Sequence, residues 1–174
     1  MQDVLGSRAN QPAEDCKDQQ PAAAATVNIE ELNDISQGEF KIEALRMKNA
    51  EAGNLLWESK EWDLNTSEEV KVEFPAQMLS CRAIGREIVF YSKKIMHEFS
   101  IRQVMTLHGQ VVEEYGFNFG FVMPNTTNSW EQVIDAEVGQ VMPAEVLSGN
   151  LIVDTYFCVK GVSFAHQRYR IFYV

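Results

Sequence analysis

From Phe40 onward the apolar residues of this chain recur at every second position, and that period decides the fold class. Phe40, Ile42 and Ala44 alternate with Lys41, Glu43 and Leu45. Val70, Val72 and Phe74 alternate with Lys71 and Glu73, and Ile88 and Phe90 with Glu87, Val89 and Tyr91. Ile101, Gln103, Met105 and Leu107 form another row. The longest row is Val111, Glu113, Tyr115, Phe117, Phe119, Phe121 and Met123. Leu151, Val153, Thr155 and Phe157 come next, then Tyr169, Ile171 and Tyr173. Successive side chains of a strand point to opposite faces, so each row marks one face of a strand. Turn sequences separate the rows: Ala52-Gly53-Asn54, His108-Gly109-Gln110, Pro124-Asn125 and Ser148-Gly149-Asn150. Many short alternating strands at this spacing predict an all-β sandwich or barrel. A brief helical turn is expected from Trp130 to Ala136.

The N-terminal region has a different composition. Residues 1–27 are polar, contain Gln-Gln-Pro-Ala-Ala-Ala-Ala and carry almost no large apolar side chain. Such a stretch cannot bury enough surface to offset its ordering entropy, which predicts a disordered tail over 1–27 and a single domain over 28–174. Asn28 offers a helix N-cap and Glu31 completes a capping-box pattern. Ile29, Leu32 and Ile35 recur at helical spacing and Gly38 supplies a stop, so a short N-terminal helix is expected over about 29–36.

Charge and motif content narrow the function classes. The formal net charge is -10, which opposes non-specific binding to nucleic acid or anionic membranes, since both need basic patches. The three cysteines, Cys16, Cys81 and Cys158, are too few and too far apart for a disulfide framework or a zinc site. No basic segment followed by an apolar run opens the chain, and no apolar stretch approaches the roughly 18 residues of a spanning helix. The expectation is a cytoplasmic, reduced protein, in which Asn125-Thr126-Thr127 is a turn rather than a glycosylation site. There is no phosphate-cradling glycine motif and no Gly-x-Ser-x-Gly elbow. His97, His108 and His166 are scattered without ligand spacing. No catalytic residue, metal or cofactor is expected.

The interior rows carry polar residues that an ordinary core does not need. If Tyr115 and Phe117 face inward, period two turns Glu113 inward as well. A buried unpaired carboxylate costs several kcal/mol. Glu113 must therefore be paired, lie near a sheet end, or face a cavity. Gln103 and Thr155 sit inside two further apolar rows. Arg86 is in phase with Ile84 and Ile88, which makes it either an inward hydrogen-bond donor or an outward residue at a bulge. Polar groups scattered over apolar inner faces suit a ligand-binding interior.

The stretch Phe117-Asn118-Phe119-Gly120-Phe121-Val122-Met123-Pro124-Asn125-Thr126-Thr127-Asn128-Ser129-Trp130 resembles the signature of the phosphodiesterase-delta, or prenyl-binding, family. In that signature an aromatic strand ends in Gly-Phe-Val-aliphatic-Pro-Asn-Ser-Thr-Asn-Thr-Trp. Glu51-Ala52-Gly53 with Leu56-Trp57 agrees in order and spacing. So do Met142-Pro143-Ala144 with Val146-Leu147 and Gly149-Asn150, and the terminal Arg170-Ile171-Phe172-Tyr173-Val174. The resemblance covers about residues 38–174. It implies an immunoglobulin-like β-sandwich of about nine strands, close to Rho-GDI, that holds a farnesyl or geranylgeranyl chain between its sheets and has no enzymatic activity. It further implies prenylated proteins as partners, among them Ras-, Rho- and Rab-like small GTPases. Cargo release by GTP-bound Arl-type GTPases, delivery to membranes and cilia or flagella, and membrane association through cargo only are implied as well.

The resemblance also assigns residues. It matches Arg86 to an arginine that donates to the ligand's terminal carbonyl. Gln103, Tyr173 and Cys81 fall near the pocket mouth or wall, and Glu113 on an inward glutamate. Ile88, Ile134, Met142, Val153, Thr155 and Ile171 fall on the apolar lining, and Trp57 on a wall tryptophan. Tyr115 stands where the delta protein has tryptophan, Leu45 where it has methionine, and Val141 replaces a methionine. Those departures are expected to reshape the deep end of the pocket and hence the choice between farnesyl and geranylgeranyl. Two alternatives stand beside this reading. One is an Unc-type carrier of myristoylated N-termini on the same fold. The other is a GTPase-binding adaptor with no lipid pocket, which large residues plugging the inter-sheet space would favour. The carrier reading requires an inter-sheet space wide enough for an isoprenoid.

Overall fold

The computed structural model describes residues 38–62, 64, 67–136 and 141–174. The tail expected over 1–27 and the helix expected over 29–36 lie outside the described residues. Among the described residues the chain forms nine strands: β1 (Phe40–Asn49), β2 (Leu55–Trp62), β3 (Val70–Phe74), β4 (Ala83–Ser92), β5 (Met96–Leu107), β6 (Gln110–Val122), β7 (Thr126–Asp135), β8 (Leu151–Val159) and β9 (Val162–Tyr173). They build a four-stranded sheet ordered β2-β1-β4-β7 and a five-stranded sheet ordered β3-β9-β8-β5-β6. All neighbours pair antiparallel except β3 with β9, which pair parallel. This is the all-β sandwich that the period of two predicts. Short 3-10 and helical turns, Ala76–Ser80 and Ala144–Leu147, sit between strands.

The inward faces of the two sheets bury one apolar cluster. At one end Phe40 of β1 meets Phe90, Phe99, Phe157 and Phe164 with ring centroids 5.3–5.7 Å apart. Such tilted and edge-on contacts are the arrangements that aromatic quadrupoles favour. At the other end Val72, Phe74, Leu107, Leu151 and Ile171 are buried, with Met78 from the 3-10 turn. Between these ends the interior turns polar.

Three sequence expectations fail locally. The helical turn expected over Trp130–Ala136 is the second half of β7, which pairs with β4 in unbroken register from Ala83↔Asp135 to Ser92↔Thr126. Ten ladder pairs outweigh the weak helical preference of Glu131 and Gln132. Leu45 does not alternate outward: the register shifts between Ile42 and Ala44, and both Ala44 and Leu45 are buried. A bulge inserts one residue and reverses the parity of the rest of the strand. The long aromatic row breaks in the same manner. Gly120 adopts φ +100, Val122 becomes fully buried, and Phe121 and Met123 are exposed.

Candidate functional site

A hydrogen-bonded cluster crosses the gap between the sheets at mid-height. Arg86 on β4 and Gln132 on β7 are cross-strand partners, so period two turns both inward from the four-stranded sheet. Opposite them Gln103 of β5 pairs with Thr155 of β8 in the five-stranded sheet, and Tyr169 of β9 lies alongside. Arg86 is 2% exposed. Its Nε donates to Gln132 Oε1 at 2.7 Å, and its Nη1 donates to Gln103 Oε1. Gln103 Nε2 in turn donates to Thr155 Oγ1 at 2.9 Å and to the Tyr169 hydroxyl at 2.8 Å. The guanidinium also lies 4.6 Å over the ring of Phe117, a favourable cation–π placement.

The cluster holds a buried charge and spare donors. Burial pushes the Arg86 pKa down to about 10, and no carboxylate contributes to its shift. The group stays protonated at neutral pH, so a cation sits in the interior without an anionic partner among the described residues. Arg86 Nη2 and Gln132 Nε2 have no hydrogen-bond partner among the described residues, nor does Trp62 Nε1 nearby. All three are donors. Buried polar groups are normally satisfied, and leaving one bare costs about 1–3 kcal/mol. The chemistry this arrangement lacks is an acceptor, such as a carbonyl oxygen.

An apolar cavity adjoins these donors. It is lined by Ile42, Leu45, Trp62, Leu64, Arg86, Ile88, Gln103, Thr155, Phe157, Gln167 and Tyr169. Its volume is about 30 Å³, or about 370 Å³ when the solvent-open space before it is included. Pockets for drug-sized ligands run to about 300–1,000 Å³. Among the described residues the gap between the sheets is narrow at this cavity, with Trp62 standing edge-on to Tyr169 at 5.7 Å.

The predicted site residues divide between this centre and one end of the sandwich. Arg86, Ile88, Gln103 and Thr155 line the cavity. Val153 and Ile171 are buried in the core beside it but do not line it. Trp57 packs edge-on against Phe74 at 4.8 Å. Cys81 comes directly after the 3-10 turn, half-buried, its Sγ donating to the Gln77 carbonyl at 3.7 Å. Glu113 is exposed towards the end of its strand and accepts from the Tyr115 hydroxyl at 2.8 Å. Of the three settings open to it, it has the sheet end and a partner. Tyr115 stacks at 6.1 Å on Phe117, the ring beneath Arg86. Burial, then the Glu113 charge, pushes the Tyr173 hydroxyl up to about 12. Ile134 is half-buried beside Ile84, and Met142 is 41% exposed.

Sequence reasoning missed Gln132, Gln167 and the role of Tyr169. Gln132 lies in phase with Trp130 and Ile134, a signal hidden by the helical reading of that stretch. Among the described residues no group of three or more His, Cys, Asp or Glu side chains could hold a metal ion, and no helix is long and apolar enough to cross a membrane. In a scan against protein families, the model described as GMP-PDE, delta subunit, matches residues 34–173.

Proposed function

The chain belongs to the GMP-PDE delta subunit family, and from that membership we propose that it is a GDI-like lipid carrier rather than an enzyme. In this reading it takes the farnesyl or geranylgeranyl tail of prenylated proteins, small GTPases among them, between its sheets. The observation that carries the proposal at residue level is the buried Arg86 with a spare Nη2 donor beside an apolar cavity. A prenylated C-terminus has the complementary form: a greasy chain ending in a carbonyl acceptor.

The energetics are consistent with that role. Burying an isoprenoid contributes roughly 0.8 kcal/mol per CH₂-sized group, about 10 kcal/mol for a farnesyl chain before ordering costs. Net of those costs the expected affinity lies between micromolar and nanomolar. Release by a GTP-bound Arl-type GTPase and delivery to membranes or cilia belong to the same proposal, as does a cytoplasmic location. The interior residues would set the lipid, while Tyr173, Glu113 and Cys81 at the sandwich end would meet the cargo's terminal residues.

A cavity of about 30 Å³ among the described residues favours one second reading, an adaptor that binds GTPases by its surface. A fluorescence titration separates the possibilities. The carrier proposal expects saturable binding of a farnesylated, carboxymethylated peptide and none of its unlipidated counterpart. Preference for a myristoylated N-terminal peptide would move the chain to the Unc-type branch. Failure to bind either lipid would leave the adaptor.

A further inference from the structure

We propose that Gln103 is a built-in competitor for the cargo's carbonyl, locked onto Arg86 by Tyr169, and that this lock ties the two sheets together across the space a lipid would fill. The inference rests on the carrier reading and concerns how that site opens. Gln103 presents an amide oxygen to Arg86 Nη1, and an amide oxygen is close in kind to the ester carbonyl of a methylated prenylcysteine. Both hydrogens of its Nε2 are used, one on Thr155 and one on Tyr169. That usage fixes the amide orientation, because the reversed amide would turn an NH₂ towards a guanidinium. Arg86 and Gln132 belong to one sheet and Gln103, Thr155 and Tyr169 to the other. The chain of bonds therefore ties the two sheets across the space a lipid would fill.

Tyr169 couples this tie to the cavity rim. Its hydroxyl holds Gln103, while its ring stands against Trp62, itself a lining residue. A neutral carbonyl meets the spare Nη2 of Arg86 first and, as the isoprenoid parts the sheets, takes Nη1 as well, so Gln103 swings aside. The ligand polar group that fits is an uncharged acceptor, able to replace one carbonyl with another at no change in charge.

Two substitutions test the lock. Tyr169→Phe keeps the ring and removes the hydroxyl. The bond it deletes exists in the closed state and not in the complex, so the affinity for a farnesylated, methylated peptide rises about 5-fold. Gln103→Leu removes the competitor and raises affinity at least as much. Uptake of Nile red, a neutral dye that fluoresces in apolar interiors, rises in both variants without any lipid. A merely structural role lowers thermal stability and leaves affinity and dye uptake flat, which overturns the proposal. A fall in affinity in Gln103→Leu also overturns it, since Gln103 would then hold the ligand. If wild type and variants all fail to bind the peptide, the carrier reading falls separately. Dye uptake then decides the lock: a rise in both variants supports it, and unchanged uptake overturns it.

Discussion

Replacing Arg86 by methionine separates what the buried cation costs from what it does. The fall of its pKa from 12.5 to about 10 corresponds to about 3 kcal/mol of burial cost, which methionine relieves. Against this, the substitution strands the Gln132 and Gln103 oxygens that Arg86 now satisfies, at about 1–3 kcal/mol each. The net effect on stability lies between about -1 and 3 kcal/mol, a Tm change of about 10 °C at most. Binding behaves differently. A hydrogen bond from a charged donor to the cargo carbonyl contributes about 1.5–3 kcal/mol, so Arg86→Met weakens a farnesylated, methylated peptide about 10- to 150-fold. The assay is a fluorescence titration, with near-UV circular dichroism to show that the variant is folded. A folded variant whose Kd stays within about twofold of wild type would refute the role of Arg86.

Three further outcomes concern groups outside the cavity. Lys48, Ser129 and Arg46 hold the Glu87 carboxylate at a pKa of about 2 against an ordinary 4.5. Its stabilising contribution is full above pH 4.5 and is lost as pH falls towards 2. Glu87→Gln therefore lowers Tm at neutral pH, and its gap to wild type closes across that window; a gap independent of pH contradicts the assignment. On the outer face of the five-stranded sheet, burial works to raise the Asp154 pKa, but bonds from Arg168 and His166 outweigh it and hold the group below its usual range. Asp154→Asn costs about 2 kcal/mol in urea unfolding at pH 7 while leaving lipid affinity unchanged. Gly149 adopts φ +76, and an added Cβ would lie 3.1 Å from Phe172, so Gly149→Ala costs about 1–2 kcal/mol, read as a lower Tm.

How much of this was legible in the sequence depends on where each strand sits. Seven strands show as rows because one face of each is buried and the other solvated. The two that did not show, β2 and β7, are both edges of the four-stranded sheet. Being an edge does not by itself hide a strand, since β3 and β6 are edges too; the rows of β2 and β7 are lost because Ser59, Thr126, Asn128 and Gln132 put polar side chains on the inward face. Parity was the other weak point. A bulge near Ala44 and the positive φ of Gly120 each reverse the inward face, and a pattern of period two has no means of registering an inserted residue. Arg86, Gln103 and Thr155 were visible as polar interruptions of apolar rows. Their actual partners were not, because Arg86 with Gln132 and Gln103 with Tyr169 span 46 and 66 positions along the chain. Glu113 looked buried because Tyr115 and Phe117 are on its face, yet it lies where the strand runs out into solvent.

The most direct test is a structure of the protein bound to farnesylcysteine methyl ester. The account predicts the isoprenoid between the two sheets, with the Trp62 side displaced and the ester carbonyl about 2.9 Å from an Arg86 nitrogen. An isoprenoid lying on the outer surface, with Arg86 still bound to Gln103 and the sheets as close as they are now, would contradict it.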